Sequence, residues 1–420
     1  MNILFHECKK AFLSPVLIFL LLLFTAFNLY FIFSHSYLKD ELSVANEIAK
    51  NYGLNITDES LKKFEQDYLK NLNRLNEMVE RYTEEKFTSV QQFLDTKSIE
   101  MYDLLSEEEW KFINKWYLEE QYLNMANILI RDYEQLNWNE IRETVARKYQ
   151  LSGQAEKILE NEYKQLAERF EEIKENGEHK TWFFAGNPYR MHSFLFRKLF
   201  KYIFFESLIL IVLATALITN YEFENKTHLV AYSTKRGRNL AKDKFWANLI
   251  VAGSLATFLF IVTLTFYFSV FDYSHLWRSS VSSALNWEYN EPYVSWWDLN
   301  FLQYFLLSVF VISICLLIFS IITFEISLFL KNSYFTFFVV AIFFGMSILM
   351  PSFMSKSSIL LFVFHFNPAV LAINPHMFFM GNSELTMFKY YEVWTLSAWS
   401  ILVSFFYVYS MKKFRRQDFH

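Results

Sequence analysis

Tyr221 to Lys244 reads YEFENKTHLVAYSTKRGRNLAKDK, a polar segment between two long apolar runs, 202–219 and 245–271. Its Lys226, Lys235, Arg236, Arg238, Lys242 and Lys244 predict a place on the cytoplasmic face of a membrane. Inside it, HLVAYS (228–233) is too short to cross a bilayer. Leu229, Val230 and Tyr232 supply one apolar edge of a short helix, which a turn at Gly237 ends. Such a helix, held at the membrane surface between two spans, suits docking to a cytosolic partner. An ordinary basic inter-helix loop has the same composition.

Composition sets the class around that segment. The chain has 420 residues, 53% hydrophobic and 20% aromatic, and its long apolar runs read as membrane helices. The formal charge of −4 hides a division. Residues 35–190 carry 31 acidic and 21 basic side chains, and the remainder carries 13 and 19. An acidic, water-facing insert in a basic-flanked membrane protein follows. Cys8 precedes the first span and Cys315 lies inside a later one, a separation that argues against a disulfide.

Residues 1–34 combine an amphipathic start with a first span. Ile3, Leu4, Phe5 and Phe12 alternate with His6, Glu7, Lys9 and Lys10, as in a helix lying in the interface, broken at Ser14-Pro15. The run 16–34 then crosses outward, its start held inside by Lys9 and Lys10. The run is too long for a secretory signal.

Residues 35–198 form the insert, expected as about five helices on the outer side. Leu61, Phe64, Tyr68, Leu72 and Leu75 recur at helical steps, as do Leu159, Tyr163, Leu166 and Phe170. Thr57 and Ser106 are expected N-caps, and Ser152-Gly153 and Asn176-Gly177 are expected breaks. Trp110, Trp116 and Tyr117 read as core. At roughly 150 residues the insert can bury a core of its own.

Residues 199–420 hold five further spans, expected near 202–220, 245–270, 301–330, up to Pro351, and 393–411. Glu206 and Glu325 fall inside them, and an intramembrane carboxyl is a functional candidate by default. Their positions near span ends also suit interfacial or paired roles, and Glu325, close to Lys331, is expected to pair there or to contact the partner subunit rather than to relay protons. The outer loop 271–300 is rich in rings (Trp277, Trp287, Tyr289, Tyr293, Trp296, Trp297) that favour the membrane–water boundary. Within 355–391, ILLFVFHF is too short to span, and Asn367-Pro368 and Asn374-Pro375 break the chain. A re-entrant or interfacial piece is expected there, beside the outer end of a pathway. Lys412, Lys413, Arg415 and Arg416 place the C-terminal end inside. The expected fold is thus all-α: six transmembrane helices, an N-terminal interfacial elbow helix, and a helical extracellular domain between helices 1 and 2.

The opening segment resembles the coupling-helix region of type 2 ABC exporter permeases. There an acidic residue ends a span, a Gly-Thr-like turn and an apolar helix follow, then Ser-Thr/Pro-x-x-Arg and a Lys that opens the next span. Here those positions are Glu222 or Glu224, Asn225-Lys226-Thr227, Leu229 to Tyr232, Ser233 to Arg238, and Lys244. Lys226 stands where the turn glycine is usual. The resemblance covers roughly 1–34 and 199–420 but not the insert. It implies a bacterial plasma-membrane permease with both termini cytoplasmic. Separate cytosolic ABC ATPase subunits would hold ATP and Mg, and a second permease chain, identical or related, would complete the pathway. Leu229, Val230 and Tyr232 would anchor the ATPase, with Lys235, Arg236 and Arg238 steering it and Glu222, Glu224 and Thr227 shaping the turn. A peptide or amphipathic lipid-like cargo is expected.

No G-x-x-x-x-G-K-[ST], H-E-x-x-H, G-x-S-x-G or C-x-x-C occurs, so neither ATP binding by a phosphate loop nor a recognised catalytic or metal site is expected. The basic loop is too short to suggest nucleic acid binding. The alternative function is a transducer that relays ATP hydrolysis to the insert without moving cargo.

Overall fold

The computed structural model describes residues 3–184, 192–232, 237–288 and 291–416. Helix α1 (Ile3–Phe12) is followed by α2 (Pro15–Ser34), the first of six helices long and apolar enough to cross a membrane. The others are Ser193–Glu224, Leu240–Val270, Phe301–Leu330, Ser333–Phe353 and Tyr391–Arg416.

Local chemistry starts these helices where they start. Pro15 occupies the first turn of α2, where its missing N–H has no partner to lose. Asn300 caps the fourth span in a reciprocal box with Gln303, and Asn332 caps the fifth by accepting from Phe335 N. The second span is the most enclosed and packs against the first, third, fourth and fifth. It also begins earlier than the expected 202, as a π-helical stretch over Ser193–Leu199. Phe194, Leu195, Phe196 and Leu199 are buried there, while Arg197 and Lys198 take the less buried positions.

Among its described residues the insert, expected as about five helices, holds six α-helices: α3 (Lys39–Tyr52), α4 (Asp58–Val79), α5 (Val90–Met101), α6 (Glu107–Glu134), α7 (Trp138–Tyr149) and α8 (Gly153–Asn176). Thr57 and Ser106 form reciprocal caps with Ser60 and Glu109. Phe64, Tyr68, Leu72 and Leu75 of α4, and Leu159, Tyr163, Leu166 and Phe170 of α8, all face inward. Glu120 on α6 is buried and accepts from Tyr68 Oη and from Val90 N, so one helix caps the start of another.

The insert has two cores. Helices α3 to α6 share the main core with the spans, whereas α7 and α8 form a second with the loops 284–297 and 361–388. Of the loop rings expected at the membrane boundary, two belong to these cores, Trp277, Trp287 and Trp297 pack against them partly buried, and Tyr289 lies outside the described residues. Tyr293 and Trp296 are buried, and Trp296 Nε1 donates to Met387 O at 2.7 Å. Folding the insert onto the loops removes those rings from both water and lipid. A two-residue antiparallel pairing of Trp287–Glu288 with Glu291–Pro292 tightens the same loop.

Lys10 meets Glu222, Tyr232 meets Phe414 and Glu224 meets Ser333, so both described chain ends share one face of the span bundle with the 221–244 segment. The insert and the segments 271–300 and 355–391 lie at the opposite end, joined by Ala284 N to His179 O and Ser152 N to Lys356 O.

Candidate functional site at the 221–244 segment

The segment begins with a defined helix terminus. Thr227 N donates to Glu222 O at 2.9 Å and Lys226 N to Phe223 O at 3.2 Å, the two bonds of a Schellman motif. Lys226 takes φ 57°, the left-handed conformation that glycine adopts most readily. The lysine at the usual glycine position therefore keeps the glycine geometry.

A helix over His228–Tyr232 follows, with Ala231 N bonded back to Thr227 O. Its apolar side chains divide. Leu229 is 47% and Val230 79% exposed, whereas Tyr232 is 2% exposed. The Tyr232 ring stacks on Phe223 at 5.6 Å and meets Phe414 edge-on at 5.3 Å. It joins a small core with Ala241, Phe245, Phe324, Leu328 and Met411, from the ends of the third, fourth and sixth spans. The single edge expected of Leu229, Val230 and Tyr232 is thus split into an outward tip and an inward root, because the Tyr232 ring reaches back to the spans. Gly237 is buried behind the helix, where a Cβ would run into the Ala231 carbonyl oxygen. Lys235, Arg236 and the side chain of Arg238 lie outside the described residues.

Beneath the helix sits a buried charge network. Glu222 accepts from Lys10 Nζ at 2.7 Å and from Lys244 Nζ. Lys244 is 1% exposed and also donates to the carbonyls of Ile218 at 2.6 Å and Thr219 at 2.9 Å. Lys10 additionally pairs with Glu7 at 2.7 Å. Burial draws the Lys10 pKa down, but its hydrogen bonds to Glu222 and Glu7 outweigh burial and hold it above the ordinary lysine value. The network ties α1 and the ends of two spans to one carboxylate. Glu222 and Lys244 are legible in the segment, but their mutual pairing and the part of Lys10 are not. The legible signal was an acid closing one span and a lysine opening the next.

Glu224 takes another role. Its Oε1 accepts from Ser333 N at 2.7 Å and so helps cap the fifth span. Thr227 holds the turn through its backbone.

The intramembrane carboxyls differ from each other. Glu206 is buried and accepts from Asn28 Nδ2 at 2.7 Å. Glu325 forms no ion pair with Lys331: its Oε1 is buried without a hydrogen bond, and the Lys331 ammonium extends over the Phe223 ring. Lys331 ends its helix in a left-handed conformation, which turns its side chain away from Glu325.

At the other end of the spans, 355–391 folds as short turns that leave and return on the same side. Asn367 Oδ1 caps Ala369 and Val370, Pro368 fills the first helical position, and Asn367 Nδ2 reaches Ser347 O at 3.1 Å. Asn374 bonds through its backbone to Leu371 O, and Pro375 O accepts from Tyr304 Oη at 2.8 Å. A cavity of about 280 Å³ adjoins this segment, lined in part by Tyr149, Lys356, His365 and Glu384.

Among the described residues, no three His, Cys, Asp or Glu side chains converge as a metal site. Six long apolar helices make this a multi-pass membrane protein. No known protein family, curated protein or solved structure matches the chain.

Proposed function

We propose that this chain is the membrane-spanning subunit of an ATP-driven exporter of the ABC type, working with a separate cytosolic ATPase. The observation that carries the reading is the division of the surface helix. Leu229 and Val230 offer an apolar tip, while Tyr232 roots the helix among the ends of three spans. A partner that grips the tip can move those spans as a unit. Buried apolar anchors of this kind dominate protein interfaces. ATP and Mg belong to the partner, whose binding must favour one arrangement of the spans over another to switch them. On this reading the segment faces the cytoplasm, α1 lies in the interface as an elbow, and the insert is extracellular. Two permease chains enclose the pathway, and a peptide or lipid-like amphiphile is the cargo.

Leu229→Asp is expected to insert normally in the membrane and to lose co-purification with the ATPase. Undiminished co-purification counts against the reading. Val230→Cys should be labelled by an impermeant maleimide only after cells are opened, since Cys8 and Cys315 are buried. Labelling in intact cells places the helix on the wrong side.

A second reading, a transducer that drives the insert without moving cargo, draws on the direct ties between loops and insert, such as Arg169 Nε to Ser295 O at 3.3 Å. Transport of a labelled amphiphile into vesicles separates the two.

A further inference from the structure

One group in the span bundle has no part in the reading above. Glu206, in the second span, is 6% exposed, and its Oε2 accepts from Asn28 Nδ2 of the first span. The same Nδ2 lies 3.2 Å from Thr263 Oγ1 of the third span, and Asn28 and Thr263 are fully buried. We propose that Glu206 is an intramembrane proton-binding site, a carboxyl at the meeting of three spans that takes up and releases one proton reversibly.

Among the described residues, no charged side chain bonds to this carboxyl, and the fourth and fifth spans, which also pack on the second, carry Glu325 as their one charged side chain, near the far end of the fourth. The first span carries no acidic, basic or His residue, and neither does the third between 245 and 270. On its own helix the nearest basic residue is Lys201, five positions away, and Glu206 forms no ion pair among the described residues. The nearby titratable groups are phenols, Tyr202 one turn before Glu206 and Tyr267 one turn beyond Thr263. An isolated carboxylate in such surroundings is strongly disfavoured, so the group holds a proton. Asn28 pulls the other way, because an amide N–H favours the charged form. These opposed influences make the site reversible rather than permanently neutral.

The amide supports the same conclusion. Asn28 Oδ1 is buried without a hydrogen bond. An amide can be turned about its axis, and a carboxylic acid satisfies both orientations: its C=O accepts from Nδ2, or its O–H donates to Oδ1. A carboxylate satisfies only the first. On uptake the proton forms the O–H bond of the acid, and on release it passes to water. The proposal is independent of the exporter assignment, and the ATPase pull-down does not test it.

The test is infrared difference spectroscopy of the full-length protein in liposomes, stepped from mildly acidic to alkaline pH and back. The expected result is a protonated-carboxyl C=O band at neutral pH that disappears at alkaline pH, returns on reversal, and is missing in Glu206→Gln. Any carboxyl band that remains in that variant belongs to another residue. A Glu206 band absent at neutral pH overturns the proposal, and so does one that persists through alkaline pH. A measurement free of any variant is adduct formation by dicyclohexylcarbodiimide, which attacks protonated carboxyls in apolar surroundings, followed by peptide mass analysis. Labelling at Glu206 should fall as pH rises and be indifferent to sodium. No adduct at any pH, or protection by sodium at constant pH, overturns it.

Discussion

The Lys10 ammonium lies 2.7 Å from the Glu222 carboxylate, 212 residues further along the chain. The same carboxylate pairs with Lys244, which is buried beneath it. Glu222→Gln leaves two ammonium groups facing a neutral amide, one of them with no access to water. Removing one partner of a buried pair costs about 3–5 kcal/mol. The variant is therefore expected to melt well below the parent in detergent. Adding Lys244→Met should recover part of the loss, because no buried cation is then left unpaired. An unchanged midpoint in the single variant shows that the network does not hold the segment.

Lys226 occupies a left-handed backbone position in the turn that launches the surface helix. A side chain at such a position costs roughly 1 kcal/mol relative to glycine. Lys226→Gly is expected to raise stability by up to about 1 kcal/mol, and Lys226→Val to lower it by more, since β-branched residues tolerate this region worst. Thermal melts of the pair check the sign. If both variants melt below the parent, the lysine side chain itself is holding the turn.

Arg169 on α8 pairs with Glu178 at 2.6 Å while reaching Ser295 O on the facing loop. Both side chains of the pair are buried. Arg169→Met leaves the Glu178 carboxylate without its cation and cuts a tie between insert and loop, for a loss of about 3–5 kcal/mol. Hydrogen exchange should accelerate in 176–184 and 279–296 and remain unchanged in α4. Uniform acceleration across the insert indicates global rather than local loosening.

His365 lies in the 355–391 segment, with Nδ1 donating to Leu361 O at 2.7 Å. Burial holds its pKa below the usual 6.5, and the Lys356 charge adds to the effect, against the hydrogen bond to Leu361. The unfolded state then binds the proton more tightly, so stability rises with pH through this window. It is complete above about 6.5 and is lost as pH falls through the lower, folded value. Exchange in 359–391, corrected for intrinsic rates, should speed up between about pH 7 and about pH 5. His365→Phe should flatten that dependence. Equal acidity dependence in the variant assigns the effect to another group.

Much of this architecture is legible in the sequence because its signals are local. Runs such as 16–34 and 301–330 are long and apolar enough that lipid is their only stable surroundings. Thr57 and Ser106 announce helix starts through hydrogen bonds that close within four residues. The periodicity of α4 and α8 marks the faces that turn inward. The early start of the second span was hidden, since Arg197 and Lys198 break its apolar run while its other side chains are buried. The core role of Tyr293 and Trp296 was hidden too, because an aromatic ring has the same composition under a protein domain as at a membrane boundary.

The sequence by itself determined that this is a six-span membrane protein with an acidic helical insert and a basic segment between the second and third spans. Those features follow from hydropathy, charge and short-range hydrogen bonding, which neighbouring residues decide among themselves. Only the tertiary structure decided that Tyr232 turns inward while Leu229 and Val230 turn out, that Glu222 gathers Lys10 and Lys244, and that Glu206 meets Asn28, which also reaches Thr263. Each of those outcomes joins side chains from different helices. The distances between helices are set by packing of the whole bundle, which no local stretch of sequence encodes.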